Sequence, residues 1–302
     1  MLGLITSEKL NAIKTVYYHG SCADGIVARE IMKRVLPAAT CTPFYFEELK
    51  EIPKNALFID CSPKPHQIEA CLEEGCCIAD HHDTFRESFD RLCGPTHGAM
   101  LFGENSLGES GAVLASVLHA QELEYDHLIY NIANYIGVSD TWQKNDASFE
   151  DSRILSKYIT MFGNDFSEDI CTLLADKSKI DAMRGMVHRQ NEKLVKSAII
   201  LEHPVKAAYI NSMQISDAAE ILREKHEVKV VIGWEMIQGR NNHPIIACSI
   251  RATPDFDCSK FAQAQGGGGH KAAAGFEIPA HPETEAPIGT IHTLLSGFLA
   301  SN

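Results

Sequence analysis

The sequence predicts an α/β protein of two domains, and three observations carry that reading. Apolar runs are continuous rather than alternating, they end on acids or histidines, and helical periodicity fills the stretches between them. Continuous runs mark strands buried on both faces, as in a parallel sheet covered by helices on both sides. A chain of 302 residues is long enough for two cores at the usual size of about 100–200 residues per domain.

The run Lys14–Tyr18 (KTVYY) ends at HGSCADG, and GIVAREIMKRVL continues with apolar residues at helical spacing up to Pro37, giving strand, polar turn and helix. Ala56–Ile59 in NALFIDCSP stops at an aspartate before a proline turn, and CCIADHHD (Cys76–Asp83) repeats the pattern. YIGVSDTW reads as a further strand, Tyr135–Val138, leading to Asp140. Between them SGAVLASVLHA, after Gly108, and DHLIYNIANYI, before Gly137, read as helices.

From about residue 150 to 200 the chain is amphipathic and helical, a connector that completes a larger domain over 1–190. Residues 205–302 form the smaller α/β domain. AAYIN is its first strand and DAAEILREKHE a short helix, while VKVVIGWEMI and PIIACSIRA flank the turn-prone QGRNNH as a hairpin. SKFAQAQ follows as a helix with Ser259 as its N-cap, then GGGGHKAAAGFEI, then a last helix from Thr290 to Leu299. No internal repeat is present.

Composition narrows the function. Twenty-seven basic against forty acidic side chains leave a net charge of -13, which argues against tracking of long nucleic acid by phosphate neutralisation but not against a local grip on a short anion. The ten cysteines, Cys93 and Cys171 among them, lack zinc-finger spacing and read as free thiols of a reducing cytosol. With no basic-then-apolar leader and no run of about 20 apolar residues, the expectation is a cytoplasmic protein without membrane contact.

His19 with Asp24, Asp60, Asp80 with His81 and His82, and Asp140 stand at the ends of separate apolar runs. The carboxyl ends of parallel strands share one edge, so these groups are expected to converge. Clustered carboxylates repel one another, and divalent cations are the ordinary way to hold them together. Mixed carboxylate and imidazole ligands favour manganese or magnesium, and two such ions would activate water against a phosphoryl group. A single strand-end aspartate is more often a turn former; it is the joint occurrence that favours metal. Gly266, Gly267, Gly268 and Gly269, followed by His270, read either as a connector or as a backbone cradle for an anion. Arg251 is either a solvated edge arginine or a forked donor to phosphate.

HGSCADG, FIDCSP, IADHHDT, GVSDTW and GGGGHKAAAGF with the upstream SIRA resemble, in this order, the motifs of the DHH phosphoesterase superfamily with its smaller C-terminal DHH-associated domain, and the resemblance runs along nearly the whole chain. It implies a larger parallel-sheet DHH domain, two bound divalent ions, most simply manganese, and hydrolysis of phosphoric esters by a hydroxide held between the metals. By position, His19 and Asp60 would hold one ion, and Asp60 would bridge to a second held by Asp24, His81 and Asp140. His82 would face the substrate phosphate and Asp80 would orient the histidines. Arg251 and the loop Gly266 to His270 would grip the nucleotide. The first motif departs from many relatives: Cys22 stands where an aspartate is usual, either as a thiolate ligand or as a packed thiol.

The expected substrate is a short oligonucleotide or small nucleotide, not long duplex. Two alternatives are hydrolysis of pyrophosphate or polyphosphate, and a nucleotide-binding regulator weakened catalytically at Cys22. The oligomeric state is not legible.

Overall fold

The structure, a computed structural model, describes residues 1–45, 48–92, 98–162, 177–238, 243–280 and 287–301. The chain divides into two compact units, Met1–Val187 and His188–Asn302.

In the first unit β1 (Leu2–Ile5), β2 (Thr15–His19), β3 (Thr40–Phe44), β4 (Ala56–Ile59), β5 (Cys77–Asp80) and β6 (Ala99–Phe102) form one sheet in the order β1-β6-β5-β4-β2-β3. β2 to β6 run parallel and β1 closes one edge antiparallel to β6. From β2 the chain crosses to β3 on one side and returns to β4 on the other. The order therefore reverses between β2 and β4, the place where open α/β sheets form their binding crevice.

The helices of this unit are α1 (Ser7–Asn11), α2 (Ala23–Val35), α3 (Ile68–Glu73), α4 (Asp83–Leu92), α5 (Gly111–Glu122), α6 (His127–Asp140) and α7 (Phe149–Phe162). Leu57 and Ile59 of β4, with Cys77 and Ala79 of β5, pack into a core shared with α2, α5, α6 and α7. Ala56, Phe58 and Ile78 point the other way, into a second core with Ile68 and Cys71 of α3 and Phe85 and Phe89 of α4. Burial on both faces is the physical reason that these strands lack alternation.

One predicted strand is corrected. Tyr135–Val138 is not a strand but the last turns of α6, and Asp140 ends a helix. Ile129, Ile132, Ala133, Ile136 and Gly137 are buried at the spacing of one helical face, and this periodicity outweighs the β-like composition of YIGV.

α8 (Lys177–Ser197) crosses the boundary between the units. The second unit holds β7 (Ile199–Leu201), β8 (Ala207–Ile210), β9 (Val230–Gln238), β10 (Pro244–Ala252), β11 (Gly268–His270) and β12 (Ala273–Pro279), ordered β11-β12-β10-β9-β8-β7. Among the described residues of this sheet only β8 and β9 pair in parallel. One face packs against α10 (Cys258–Ala264) and α11 (Pro287–Ser301), the other against α9 (Ser216–His226). β9 and β10 pair as the expected hairpin; its turn residues 239–242, like Cys93 and Cys171, lie outside the described residues.

The cap of α10 is also corrected. Asp257, not Ser259, is the N-cap: its Oδ1 accepts the Lys260 N–H at 3.1 Å, and Ser259 Oγ donates to the same oxygen at 2.7 Å. Asp257→Ala is expected to cost about 1 kcal/mol in urea unfolding of the full chain, and Ser259→Ala less. The described cysteines are free thiols. Among the described residues no helix is long and apolar enough to cross a membrane.

Candidate metal centre

Three neighbouring parallel strands, in the order β5-β4-β2, deliver side chains to one edge of the first sheet. His19 is the last residue of β2, Asp60 follows β4, and Asp80 ends β5 with His81 and His82 behind it. Asp24 enters from the first turn of α2 and Asp140 from the end of α6. Two sets of ligand atoms result, His19 with Asp60 and His82, and Asp24 with His81 and Asp140, each set within 4.8 Å of one another.

Asp60 lies between the sets. Its Oδ1 is 3.0 Å from His81 Nε2, and its Oδ2 is 3.1 Å from Cys22 Sγ and 3.5 Å from His19 Nδ1. The carboxylate is buried, and its backbone is left-handed at φ 57°, a conformation rare outside Gly, Asn and Asp. Burial works to raise its pKa, but hydrogen bonds from His19 and His81, with their charges, hold it well below the usual carboxylate range.

His81 defines what belongs in the second set. Asn105 Nδ2 donates to the His81 carbonyl at 3.1 Å, which turns Asn105 Oδ1 toward His81 Nδ1 at 2.6 Å. An amide oxygen only accepts, so Nδ1 carries a proton. The other nitrogen, Nε2, faces Asp60 Oδ1 at 3.0 Å, Asp140 Oδ2 at 3.4 Å and Asp24 Oδ2 at 3.8 Å. An imidazole nitrogen ringed by three carboxylates calls for a positive charge there, either a proton or a cation. Burial pulls the His81 pKa down, yet the bond to Asp60 and the charges of Asp140, Asp60 and Asp24 raise it well above the ordinary histidine value.

Asp24 is equally constrained. Its Oδ1 accepts Ser110 Oγ at 2.6 Å and the Ala112 N–H at 3.0 Å. Its Oδ2 is buried without a hydrogen-bond partner and lies on the His81 side. Burial, then the charges of Asp60 and Asp140, raise its pKa well above the carboxylate range. An orphaned carboxylate oxygen in a mixed carboxylate and imidazole set fits a hard divalent cation.

Asp80 serves the histidines. Its Oδ1 accepts the backbone N–H groups of His81 (2.8 Å) and His82 (3.3 Å) and His82 Nδ1 (2.6 Å). With Nδ1 donating, a neutral His82 presents its lone pair at Nε2, the usual second-sphere arrangement for a ligating histidine. Cys22 is the N-cap of α2: its Sγ accepts the Gly25 N–H at 3.3 Å and donates to Asp60 Oδ2 at 3.1 Å. Burial and the charges of Asp60, Asp140 and Asp24 push its thiol well up, so the structure presents it as a thiol donor.

Asn105, Ser110 and Gly111 complete the centre, although in the sequence Ser110 and Gly111 mark no more than the start of a helix. Asn105 sets His81, Ser110 holds Asp24, and Gly111 lets the N-terminus of α5 abut both carboxylates. A Cβ at Gly111 would lie 2.3 Å from Asp60 Cβ and 2.8 Å from Asp24 Oδ2. Ser110 Oγ, in the N-cap position, caps no backbone group and serves Asp24 instead. Its Ser-Gly start before an apolar helix was the one available signal; Asn105 had none.

In the second unit Arg251 is fixed by bonds from Nη1 to Ser249 Oγ (3.1 Å) and the Ile250 carbonyl (2.9 Å), and from Nη2 to Ser216 Oγ (3.1 Å). The glycine run is not the expected loop throughout. Gly268, Gly269 and His270 form β11, paired with Gly275, Ala274 and Ala273. A Cβ at Gly267 would meet the Gly275 carbonyl at 2.1 Å, and one at Gly269 the Ala274 Cα at 2.6 Å, so close strand approach demands these glycines.

Residues 191–295 match the DHHA1 domain family. No curated protein sequence matches the chain. Among solved structures, one described as the DHH domain of a member of a family of ribosomal proteins is 13% identical, covering 97% of this chain and 87% of that one at a TM-score of 0.56. An exopolyphosphatase-related protein from Bacteroides fragilis is 12% identical, with 99% and 98% of the two chains covered and a TM-score of 0.48. RecJ from Thermus thermophilus, solved in complex with Mn2+, is 18% identical, with 98% and 53% covered and a TM-score of 0.46. Residues 191–295 thus match the DHHA1 domain, and the chain shares its fold with the DHH-domain structure at a TM-score of 0.56.

Proposed function

We propose that the protein is a divalent-metal-dependent phosphoesterase acting on short oligonucleotides or small nucleotides, with manganese as its working ion. The observation that carries this reading is His81 Nε2, set among three carboxylates while Asn105 holds a proton on the opposite nitrogen. His19 and Asp60 would hold one ion, joined by His82, which the resemblance set toward the substrate phosphate but whose ligand atom lies within 4.8 Å of theirs; Asp24, His81 and Asp140 would hold the other, with Asp60 between the two sets. Bound there, the ions supply a water of lowered pKa and neutralise phosphoryl oxygens. The chain's own part is to hold the ligands. Asp80 and Asn105 keep a proton on Nδ1 of His82 and of His81, so both rings present Nε2. Ser110 and the α5 N-terminus hold Asp24 by one oxygen and leave the other for the ion. In the second unit, Arg251 and Gly266 to His270 are proposed to bind the anionic end of the substrate.

The full chain is to be incubated with manganese and with di- to pentanucleotides, 3'-phosphoadenosine 5'-phosphate, or polyphosphate. Turnover of the first two classes is expected. Turnover of polyphosphate with nucleotides inert would replace this reading by an exopolyphosphatase, and tight nucleotide binding without product by a regulator. No turnover of any would overturn it.

Metal binding is also expected to release protons. His81 and Asp24 are both shifted upward, so in the metal-free site each keeps its proton to a higher pH than the free side chain, and a cation must displace it. Manganese affinity should therefore rise with pH through the neutral range and fall on acidification. Calorimetry in buffers of different ionisation enthalpy checks this; binding independent of pH and buffer would contradict it.

A further inference from the structure

Resting on the metal reading, we propose that Gln143 is a positioning residue that yokes the orientation of His81 to the place of Asp140, the two members of the second set besides Asp24. α6 ends in a Schellman motif: the Gln143 N–H bonds the Val138 carbonyl at 2.9 Å and the Trp142 N–H bonds the Ser139 carbonyl at 3.3 Å. The left-handed position of that motif, normally a glycine, is Trp142 at φ 59°. A bulky residue there strains the backbone. Trp142 is kept in place by Arg153 and Lys144, whose cationic groups lie 5.3 and 5.2 Å from its ring, and by edge contact with Phe149 at 5.4 Å.

The turn carries Gln143 to the segment that sets His81. Gln143 Nε2 donates to the Asn105 carbonyl at 2.8 Å and to Thr141 Oγ1 at 3.3 Å. Asn105 in turn grips His81 twice, through its side-chain amide to the ring and to the His81 carbonyl. One side chain thus ties the helix end bearing Asp140 to the residue that fixes the proton on His81 Nδ1. Cutting that tie leaves Asp140 and His81 to be placed by separate segments. The set His19, Asp60 and His82 meets this path through the contact of Asp60 with His81 at 3.0 Å, so the larger effect should fall on the second set.

The test uses the full chain as wild type, Gln143→Met and Gln143→Glu. The first keeps length without polar atoms; the second keeps shape without a donor. Each is titrated with Mn2+ by calorimetry and electron paramagnetic resonance, melted without metal, and inspected for the hydrogen-bonded His81 Nδ1 proton by NMR. Both variants are expected to lose about tenfold in affinity at one of two manganese sites, as removal of second-sphere partners does, with a smaller loss at the other site and a metal-free melting temperature near wild type. The Nδ1 proton should shift as its bond to Asn105 loosens. Wild-type affinity with an unmoved proton in both variants overturns the proposal. Equal weakening at both sites with a lowered melting temperature also overturns it, since that is plain loss of stability. If the wild type itself binds no manganese, the metal reading fails, and the Nδ1 proton alone decides the coupling: moved, it stands; unmoved, it falls.

Discussion

Replacing Asp60 by asparagine is expected to reduce manganese-dependent turnover by at least about a hundredfold, since a metal ion contributes several kcal/mol of charge stabilisation and this carboxylate adjoins both ligand sets. Asparagine suits the test. It tolerates the left-handed backbone at φ 57° and preserves the shape of the side chain, so the fold should persist. What it removes is charge. One carboxylate oxygen faces His81 Nε2 at 3.0 Å and the other faces Cys22 Sγ at 3.1 Å; an amide can serve only one of these sides as acceptor. Single-turnover rates with manganese, alongside circular dichroism, check the expectation. A variant that keeps wild-type turnover would mean that Asp60 bridges nothing.

Gly111→Ala is expected to damage the centre without touching a ligand. In most helices this change gains up to about 1 kcal/mol of propensity. Here the added methyl would lie 2.3 Å from Asp60 Cβ, 2.7 Å from its Cγ and 2.8 Å from Asp24 Oδ2. Neither carboxylate can retreat cheaply, because Asp24 is tied to Ser110 and Ala112 and Asp60 to His81. Overpacking of this kind costs about 1–3 kcal/mol, which exceeds the propensity gain, particularly at the first helical residue, where the backbone is least committed. Urea unfolding should show a net loss, and manganese affinity should fall with it as the carboxylates are pushed from their places. A more stable variant with unchanged affinity would contradict the close approach.

Several of the site's residues were legible because chemistry and position coincide in the chain. His19, Asp60 and the Asp80–His82 triplet each end an apolar run, and parallel strands put those ends on one edge. Asp140 was found by the same rule for the wrong reason. It ends a helix, yet it reaches His81 Nε2 at 3.4 Å because α6 packs beside α2 and α5 on the same side of the sheet. Ile136 and Gly137 are as consistent with a strand as with a helix when read alone, and burial along one face of α6 decided between them. The glycine run shows the opposite error. Its composition suggested a loop, while Gly267 and Gly269 are glycines because β12 leaves no room for a Cβ.

The sequence by itself determined the two-layered apolar patterning of the first sheet, the order of its chemically active strand ends and the acidic balance of the chain, since all of these depend on residue type and near neighbours. Only the tertiary structure decided which nitrogen of His81 faces the carboxylates, which oxygen of Asp24 is orphaned, and why Asn105, Ser110, Gly111 and Gln143 matter. Those facts are set by hydrogen bonds and close contacts between residues far apart along the chain, such as His81 and Asn105, 24 positions apart, and Asp24 and Ser110, 86 apart. Periodicity carries no record of such contacts, because they arise only when the sheet order places separate strand ends and helix starts within a few ångströms of one another.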